Sequence, residues 1–398
     1  MELQLLLLLN FVSVMLFWVF QKPGRNTETL FFINSVAIIF IAGVYSFSIF
    51  MLLAYLLNKY NNLYNNTKRT KLKKVTLGCI FFVFIIACFS LFNKSRSFVI
   101  YGDVEFLLST IGSSYILFKS ISYILDTMQR KVESTRFVDV ANYILFFPTY
   151  LNGPMYRFDE FSRQMSRPKT IKYNRAVYKI SIGLFKILLI SKAFQTYSDY
   201  QGIDWIVSEQ VRFLLSLVFY YIYLYANFSG FCDIAIGFGA MLGFKVPENF
   251  NNPFFATNIA DFWRKWHITL SRVLLDSIFT PLKNTLNFLY TKNFHFEKMD
   301  KWFLLFIQSS CYLITFIISG FWHGSAQHFI VWGIWHGTGL SIRRIYRTIF
   351  DVEGSLQNKP VIYSKAYGLS CWFITFVFVT LGWALFKYPL DILQEIFL

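Results

Sequence analysis

Of 398 residues, 55% are hydrophobic and 21% aromatic, while only 15% are charged, against roughly 25% in soluble domains. An ordinary soluble fold is excluded, because no soluble core absorbs that much apolar surface. The formal charge of +16 does not argue for nucleic acid: Lys22 and Arg25, Lys68 to Lys74, Arg130 to Arg136, and Arg343 to Arg347 fill short gaps between apolar runs, as cytoplasmic loops do opposite anionic lipid headgroups.

Along the chain, Leu3 to Phe20 follows only Met1 and Glu2. It lacks the basic start and small-residue cleavage site of a signal peptide and is predicted as a retained first span. Leu30 to Leu57 would make about 42 Å of helix, long for one crossing. Two short helices meeting near Gly43 satisfy the basic flanks, but each is too short to cross unaided, so both readings stand. Val75 to Phe92, Phe303 to Phe321 and Tyr367 to Phe386 read as clear spans. Phe106 to Leu125, Val138 to Leu151, Tyr178 to Phe194 and Val211 to Ala226 read as interrupted ones, with Gly230 to Phe244 and His328 to Ile342 as further candidates. The expected fold is all-α, a polytopic integral membrane protein of about ten to twelve transmembrane or re-entrant helices. Broken helices at membrane depth are tolerated only inside protein or beside water, which predicts an irregular bundle enclosing something. The chain reads as one membrane-embedded domain, 1–398, with N-terminal spans in 1–140 and a motif-bearing part in 141–390.

The least hydrophobic stretch is Lys245 to Met299. Asn258 is expected to cap a helix, with Asp261 completing a capping-box-like pair, and Pro281 to end it. Its start, I-A-D-F-W-R-K-W-H-I-T-L, has the mixture of an interfacial or re-entrant helix. The five cysteines show no C-x-x-C spacing; they suggest neither a disulfide framework nor a metal site.

Chemistry is expected from the histidines, of which there are five. An ionisable group at membrane depth is costly and usually functional, and imidazole is the natural general base near neutral pH. His323 follows a long apolar run in G-F-W-H-G-S, with small residues that let a substrate approach. His336 has nearly the same neighbours, W-H-G. On one continuous helix the two would lie about 140° apart and share no face. His267, between Trp266 and Ile268, reads equally as an interfacial anchor; His328 and His295 read as incidental. Arg157, behind Gly153-Pro154, is either a cation near an anionic donor or a snorkelling side chain. P-loop, G-x-S-x-G and H-E-x-x-H patterns are missing from the sequence.

Five motifs in order then resemble the membrane-bound O-acyltransferase family, in its bacterial branch of alginate O-acetylation and teichoic-acid D-alanyl transfer proteins. They are F-F-P-T-Y-L-N-G-P-M-Y-R (Phe146 to Arg157), F-S-G-F-C-D-I-A-I-G (Phe228 to Gly237), P-E-N-F-N-N-P-F (Pro247 to Phe254), D-F-W-R-K-W-H-I-T-L-S (Asp261 to Ser271) and G-F-W-H-G (Gly320 to Gly324); the tail F-V-T-L-G-W-A-L-F (Phe378 to Phe386) also fits. The resemblance implies helices around a central tunnel, with His323 and His267 catalytic and Trp266, Trp322, Arg157, Asp276 and His336 as candidate substrate-binding or tunnel-lining residues. It implies no tightly bound cofactor and no metal, but an acyl thioester co-substrate, acetyl-CoA or an acyl carrier protein, approaching from the cytoplasm. It further implies an extracytoplasmic acyltransferase partner, membrane lipids around the chain, and a place in the bacterial cytoplasmic membrane. The chain departs from the pattern at Val273 and Leu275, where an aromatic and an Arg are usual, and after Pro281, where Gly-Gly-Asn-Arg is missing. The expected function is acyl transfer, acetyl first, to hydroxyls of a cell-envelope polysaccharide. The alternatives are D-alanyl transfer to teichoic acid or a related polymer, a transporter or flippase, and a non-catalytic scaffold.

Overall fold

The computed structural model describes residues 3–20, 26–66, 113–150, 152–165, 170–203, 205, 208–294, 301–324, 326–350 and 365–397, and these contain helices and turns but no strand. The expected span Val75 to Phe92, the start of Phe106 to Leu125, Cys79, Cys88, His295 and the first two basic clusters lie outside the described residues. Among the described residues four windows have the length and composition to cross a membrane: Thr27–Val44, Glu209–Met241, Lys301–His323 and Tyr367–Lys387. The chain divides into two compact units, residues 1–184 with 230–248, and residues 185–229 with 249–398.

The first unit holds α1 (Leu3–Phe20), α2 (Asn26–Asn66), α3 (Ser113–Met128), α4 (Phe137–Leu145), α5 (Phe158–Met165) and most of α6 (Tyr173–Phe185). Gly43 at φ 80°, ψ 164° divides α2, so Leu30 to Leu57 is two helices meeting at that glycine, the conformation only a residue without a Cβ adopts at no steric cost. The run Val138 to Leu151, expected to span, is instead the nine-residue α4 followed by a 3-10 turn at Phe147–Thr149. Pro148 lacks the N–H that would continue the helix, and the Phe147 N–H donates to the Asn34 side chain at 3.2 Å. Buried carboxamides cross-brace this unit: Asn34 donates to Asn142 at 2.9 Å and Asn61 to Thr127 at 3.1 Å. Rings of Phe146, Tyr156, Phe158, Phe161 and Phe244 fill its core, with Phe161 stacked on Phe244 at 5.3 Å.

One helix, α7 (Glu209–Met241), replaces the two separate candidates Val211 to Ala226 and Gly230 to Phe244. Ser229-Gly230 reads as a break but serves as a close-packing point. A Cβ on Gly183 would stand 2.7 Å from the Gly230 carbonyl oxygen, so the small residues admit a neighbouring backbone without interrupting the helix.

The second unit holds the start of α7, α8 (Ile259–Lys265), α9 (Ile268–Leu274), α10 (Thr280–Phe294), α11 (Lys301–His323), α12 (Gln327–Ile349), α13 (Lys365–Lys387) and α14 (Leu390–Phe397). Asn258 caps α8, its side chain accepting from the Asp261 N–H at 2.9 Å, while Asp261 accepts from the Thr257 N–H at 3.4 Å. Burial alone would raise the Asp261 carboxyl, but hydrogen bonds from Lys265, Thr257 and Arg264 hold it below its ordinary value. Pro281 does not end this segment. That helix, α8, ends at Lys265 and the chain turns at His267; Pro281 lies inside the helical run that follows, just after a π-helical turn at Leu275–Phe279, with Leu275 and Thr280 both in helical conformation. Helices α11 and α12 form an antiparallel hairpin. A Cβ on Gly333 would strike the Phe316 carbonyl, and one on Gly337 would stand 2.9 Å from Leu313 Cα. Arg343, Arg344 and Arg347, expected in a gap, occupy the last turns of α12.

Candidate active site

His267 lies between α8 and α9 in the left-handed conformation, φ 42°, ψ 54°, which is uncommon for a residue with a side chain. Backbone bonds on both sides impose it: the Ile268 N–H donates to the Asn249 carbonyl at 2.9 Å and the Asn251 N–H to the Lys265 carbonyl at 2.9 Å. The Asn249 side-chain oxygen accepts from the Thr269 N–H at 3.2 Å and the Thr269 hydroxyl at 2.7 Å. The same oxygen lies 3.1 Å from His267 Nδ1. A backbone N–H only donates, so the atom facing it is Oδ1, and Nδ1 must carry the ring proton. Nε2 is then left with a lone pair; it is buried and has no hydrogen-bond partner among the described residues. His267 lies outside the four apolar windows. Burial, and next the nearby imidazole of His323, push its pKa down to about 3. At neutral pH it is therefore an uncharged imidazole held in one tautomer, with the Nε2 lone pair buried.

His323 is the last residue of α11, and a chain of rings links it to the His267 segment: Trp266 packs on Trp383 at 5.0 Å, Trp383 on Phe386 at 5.6 Å and Phe386 on His323 at 4.8 Å. Its ring packs against Trp322 at 4.5 Å, Phe386 at 4.8 Å and Trp332 at 5.2 Å. Half-buried, it is more accessible than either His267, 4% exposed, or His336, 0% exposed. Because the chain turns back between α11 and α12, the continuous-helix geometry expected for His323 and His336 does not apply. Both rings meet the same indole, Trp332, which lies 4.9 Å from His336. His336 is enclosed by Trp263, Trp332, Phe316 and Phe378, and neither of its ring nitrogens has a partner among the described residues. A Cβ on Gly382 would stand 2.9 Å from His336 Nε2, so only glycine leaves the imidazole its place.

Trp266 is buried among Phe250, Phe262 and Trp383, with ring separations of 5.1, 5.7 and 5.0 Å. Trp322 flanks His323 directly. Asp276 falls in the π-turn after α9. Arg157 belongs to the first unit, where Asp126 pairs with its guanidinium and Asp159 approaches to 3.8 Å. Its charge is taken up by carboxylates of the same chain. His328 Nδ1 lies 3.1 Å from the Leu385 carbonyl, bracing α12 against α13. Two residues escaped the sequence reading, Asn249 and Trp332. Asn249 sits in the quoted P-E-N-F-N-N-P-F motif, and an Asn in an extended stretch ahead of a Trp-His pair was a usable signal. No pattern marked Trp332.

The pattern of the membrane-bound O-acyltransferase (MBOAT) family matches residues 29–294, a stretch that includes His267 and ends before α11. The peptidoglycan O-acetyltransferase of Helicobacter pylori is 29% identical, covering 76% of this chain and 58% of that protein. The probable alginate O-acetylase AlgI of Pseudomonas syringae pv. tomato is 30% identical, covering 78% and 55%. The teichoic acid D-alanyltransferase of Bacillus subtilis is 30% identical, covering 56% of each. The chain thus spans somewhat over half the length of these curated relatives. With the family match and the four apolar windows together, this is a membrane protein, and the chain belongs to the membrane-bound O-acyltransferase family.

Proposed function

We propose that the chain is an O-acyltransferase that moves an acyl group, acetyl first, from a cytoplasmic thioester toward hydroxyls of an extracytoplasmic envelope polysaccharide. The observation that supports this reading is His267, held by Asn249 with its Nε2 buried and unpartnered among the described residues, joined through the rings of Trp266, Trp383 and Phe386 to His323 of a second motif. The more accessible His323 takes the proton of the acceptor hydroxyl as that oxygen attacks the thioester carbonyl. The tetrahedral adduct collapses, the C–S bond breaks, and the imidazolium returns the proton to the departing thiolate. Such base catalysis is typically worth roughly 10²- to 10⁴-fold. His267 Nε2 is the buried lone pair beside that exchange; it steadies the His323 imidazolium by accepting a hydrogen bond. Water exclusion by Trp322, Trp332 and Phe386 strengthens each polar interaction and suppresses hydrolysis.

Acetyl-CoA or an acyl carrier protein serves as donor, the chain acts as one catalytic domain in a bacterial cytoplasmic membrane, and an extracytoplasmic acyltransferase completes delivery to the polymer. Trp266 and Asp276 support the His267 segment, and Arg157 supports the fold of its own unit. Relatives named for O-acetylation, at 76% and 78% of this chain, favour acetyl; the relative named for D-alanyl transfer, at 56%, supports D-alanine as the second reading. The test is base-released acyl acid from envelope polymers of wild-type and deletion strains, resolved by chromatography. Loss of acetate with the deletion supports the first reading, loss of D-alanine the second, and unchanged esters overturn both.

A further inference from the structure

A polar cavity of about 460 Å³ opens in the first unit, lined by Glu160, Arg163, Gln164, Thr170, Lys172, Gly243, Lys245 and Pro247. Three segments meet there: α5, the residues leading into α6, and the loop leaving α7. Their placement is fixed from within. Gln164 clamps the loop by accepting from the Lys245 N–H at 2.6 Å and donating to the Lys245 carbonyl at 3.3 Å. Phe244 and Val246, both 0% exposed, anchor it on either side, so the alternation of the chain turns Lys245 outward. The Lys172 N–H donates to the Ala240 carbonyl at 3.3 Å, tying the second lysine to the end of α7.

Three cations thus face the cavity against one carboxylate, Glu160. Arg163 is partly engaged by Asp159 at 3.2 Å. The described residues offer Lys172 and Lys245 no carboxylate within ion-pair distance. Elsewhere in the unit the lysine and arginine beside them are matched, Lys179 with Asp233 and Glu248 at 2.7 Å each, and Arg175 with Glu248 at 3.1 Å. The cavity is therefore where positive charge is collected and left over. The ordinary alternative is a solvated basic loop. A clamped loop, a cavity large enough for a headgroup and the convergence of three segments go beyond that.

We propose that this cavity is a binding site for a phosphate-bearing anion, held by the ammonium groups of Lys172 and Lys245 with Arg163 at its edge. Compact ammonium groups suit phosphate as point charges, and basic pockets between membrane helices on the cytoplasmic side take anionic lipid headgroups. The same chemistry is offered by a soluble phosphate compound.

The experiment uses the full chain in detergent micelles and measures binding by isothermal titration calorimetry. The probes are dioctanoyl phosphatidylglycerol, dioctanoyl phosphatidylcholine and inorganic pyrophosphate. The wild-type chain is compared with Lys172→Gln/Lys245→Gln and Lys172→Glu/Lys245→Glu variants, whose helicity and melting are checked by circular dichroism. The expected result is saturable binding that rising salt weakens, that weakens severalfold in the Gln pair and at least tenfold in the Glu pair. Binding of phosphatidylglycerol alone assigns a lipid headgroup, binding of pyrophosphate alone a soluble ligand, and binding of both a site that reads the phosphate itself. Equal affinity for phosphatidylcholine, equal affinity in well-folded variants, or no binding of either anion overturns the proposal.

Discussion

The two units differ in the kind of polar group they bury. In the first, carboxamides and ion pairs meet, Asn34 with Asn142, Asn61 with Thr127, Lys179 with Asp233 and Arg157 with Asp126, although the Thr149 and Tyr150 hydroxyls lack a partner among the described residues. In the second, the buried imidazoles are ringed by indoles and phenyl groups, and three ring nitrogens, one of His267 and both of His336, lack a partner among the described residues. An unmet buried polar group costs on the order of 1–3 kcal/mol. Under the proposed reaction the buried lone pair of His267 has a use beside the exchange, whereas His336 is enclosed in an aromatic shell. The lesson is that pairing in the first unit holds structure, while the imidazoles of the second must be sorted by experiment into reacting and enclosed groups.

The comparison is broken most forcefully at His267. His267→Ala removes the fixed lone pair beside His323 and should lower acyl transfer roughly 100-fold or more, with chain levels in the membrane close to wild type; undiminished ester content would make His267 a structural residue. The counterpart in the first unit is Arg157→Ala. It strands Asp126 without its guanidinium, and breaking a buried pair costs about 3–5 kcal/mol. Melting temperature and membrane level should fall, while transfer per folded chain stays near wild type; the reverse pattern would put Arg157 in the chemistry.

Asn249→Asp sharpens the contrast through pH. A carboxylate against Nδ1–H favours the imidazolium and raises the His267 pKa from its depressed value, so the acid limb of the transfer rate should move to higher pH. An unmoved limb would show that Asn249 does not set the protonation of His267. The wild-type sign follows the same logic. An unfolded histidine protonates near pH 6.5, whereas folded His267 resists until about 3. Its neutral form therefore contributes to stability above about pH 6.5, and that contribution is lost as pH falls from there toward 3; thermal melts across this range should show the decline. The smallest effect is expected from His336→Leu. Replacing an imidazole that has no hydrogen-bond partner among the described residues by an apolar side chain should leave stability nearly unchanged and transfer within a few-fold, and a collapse of transfer would bring His336 into the reaction.

Much of this was legible in the residues because the signals are local. Composition placed the chain in a membrane, Gly43 marked the break in α2, and Asn258 with Asp261 marked the start of α8. Histidines in apolar company mark where to look for chemistry. What stayed hidden is non-local. Ser229-Gly230 reads as a break until Gly183 is seen against it. Pro281 reads as a terminator unless the preceding chain has already turned at His267. The enclosure of His336 brings together Trp263, Phe316 and Phe378 from three helices, and no periodicity encodes that meeting. Asn249 acts on a residue 18 positions away through backbone and side-chain bonds that only the folded loop creates.

The central claim, that His323 takes the acceptor's proton, is tested most directly by envelope ester content in a deletion strain carrying either the wild-type chain or His323→Ala at matched membrane levels. The account predicts that the wild type restores the esters and the variant restores roughly one hundredth or less of the transfer rate. Wild-type ester levels in the His323→Ala strain would contradict it.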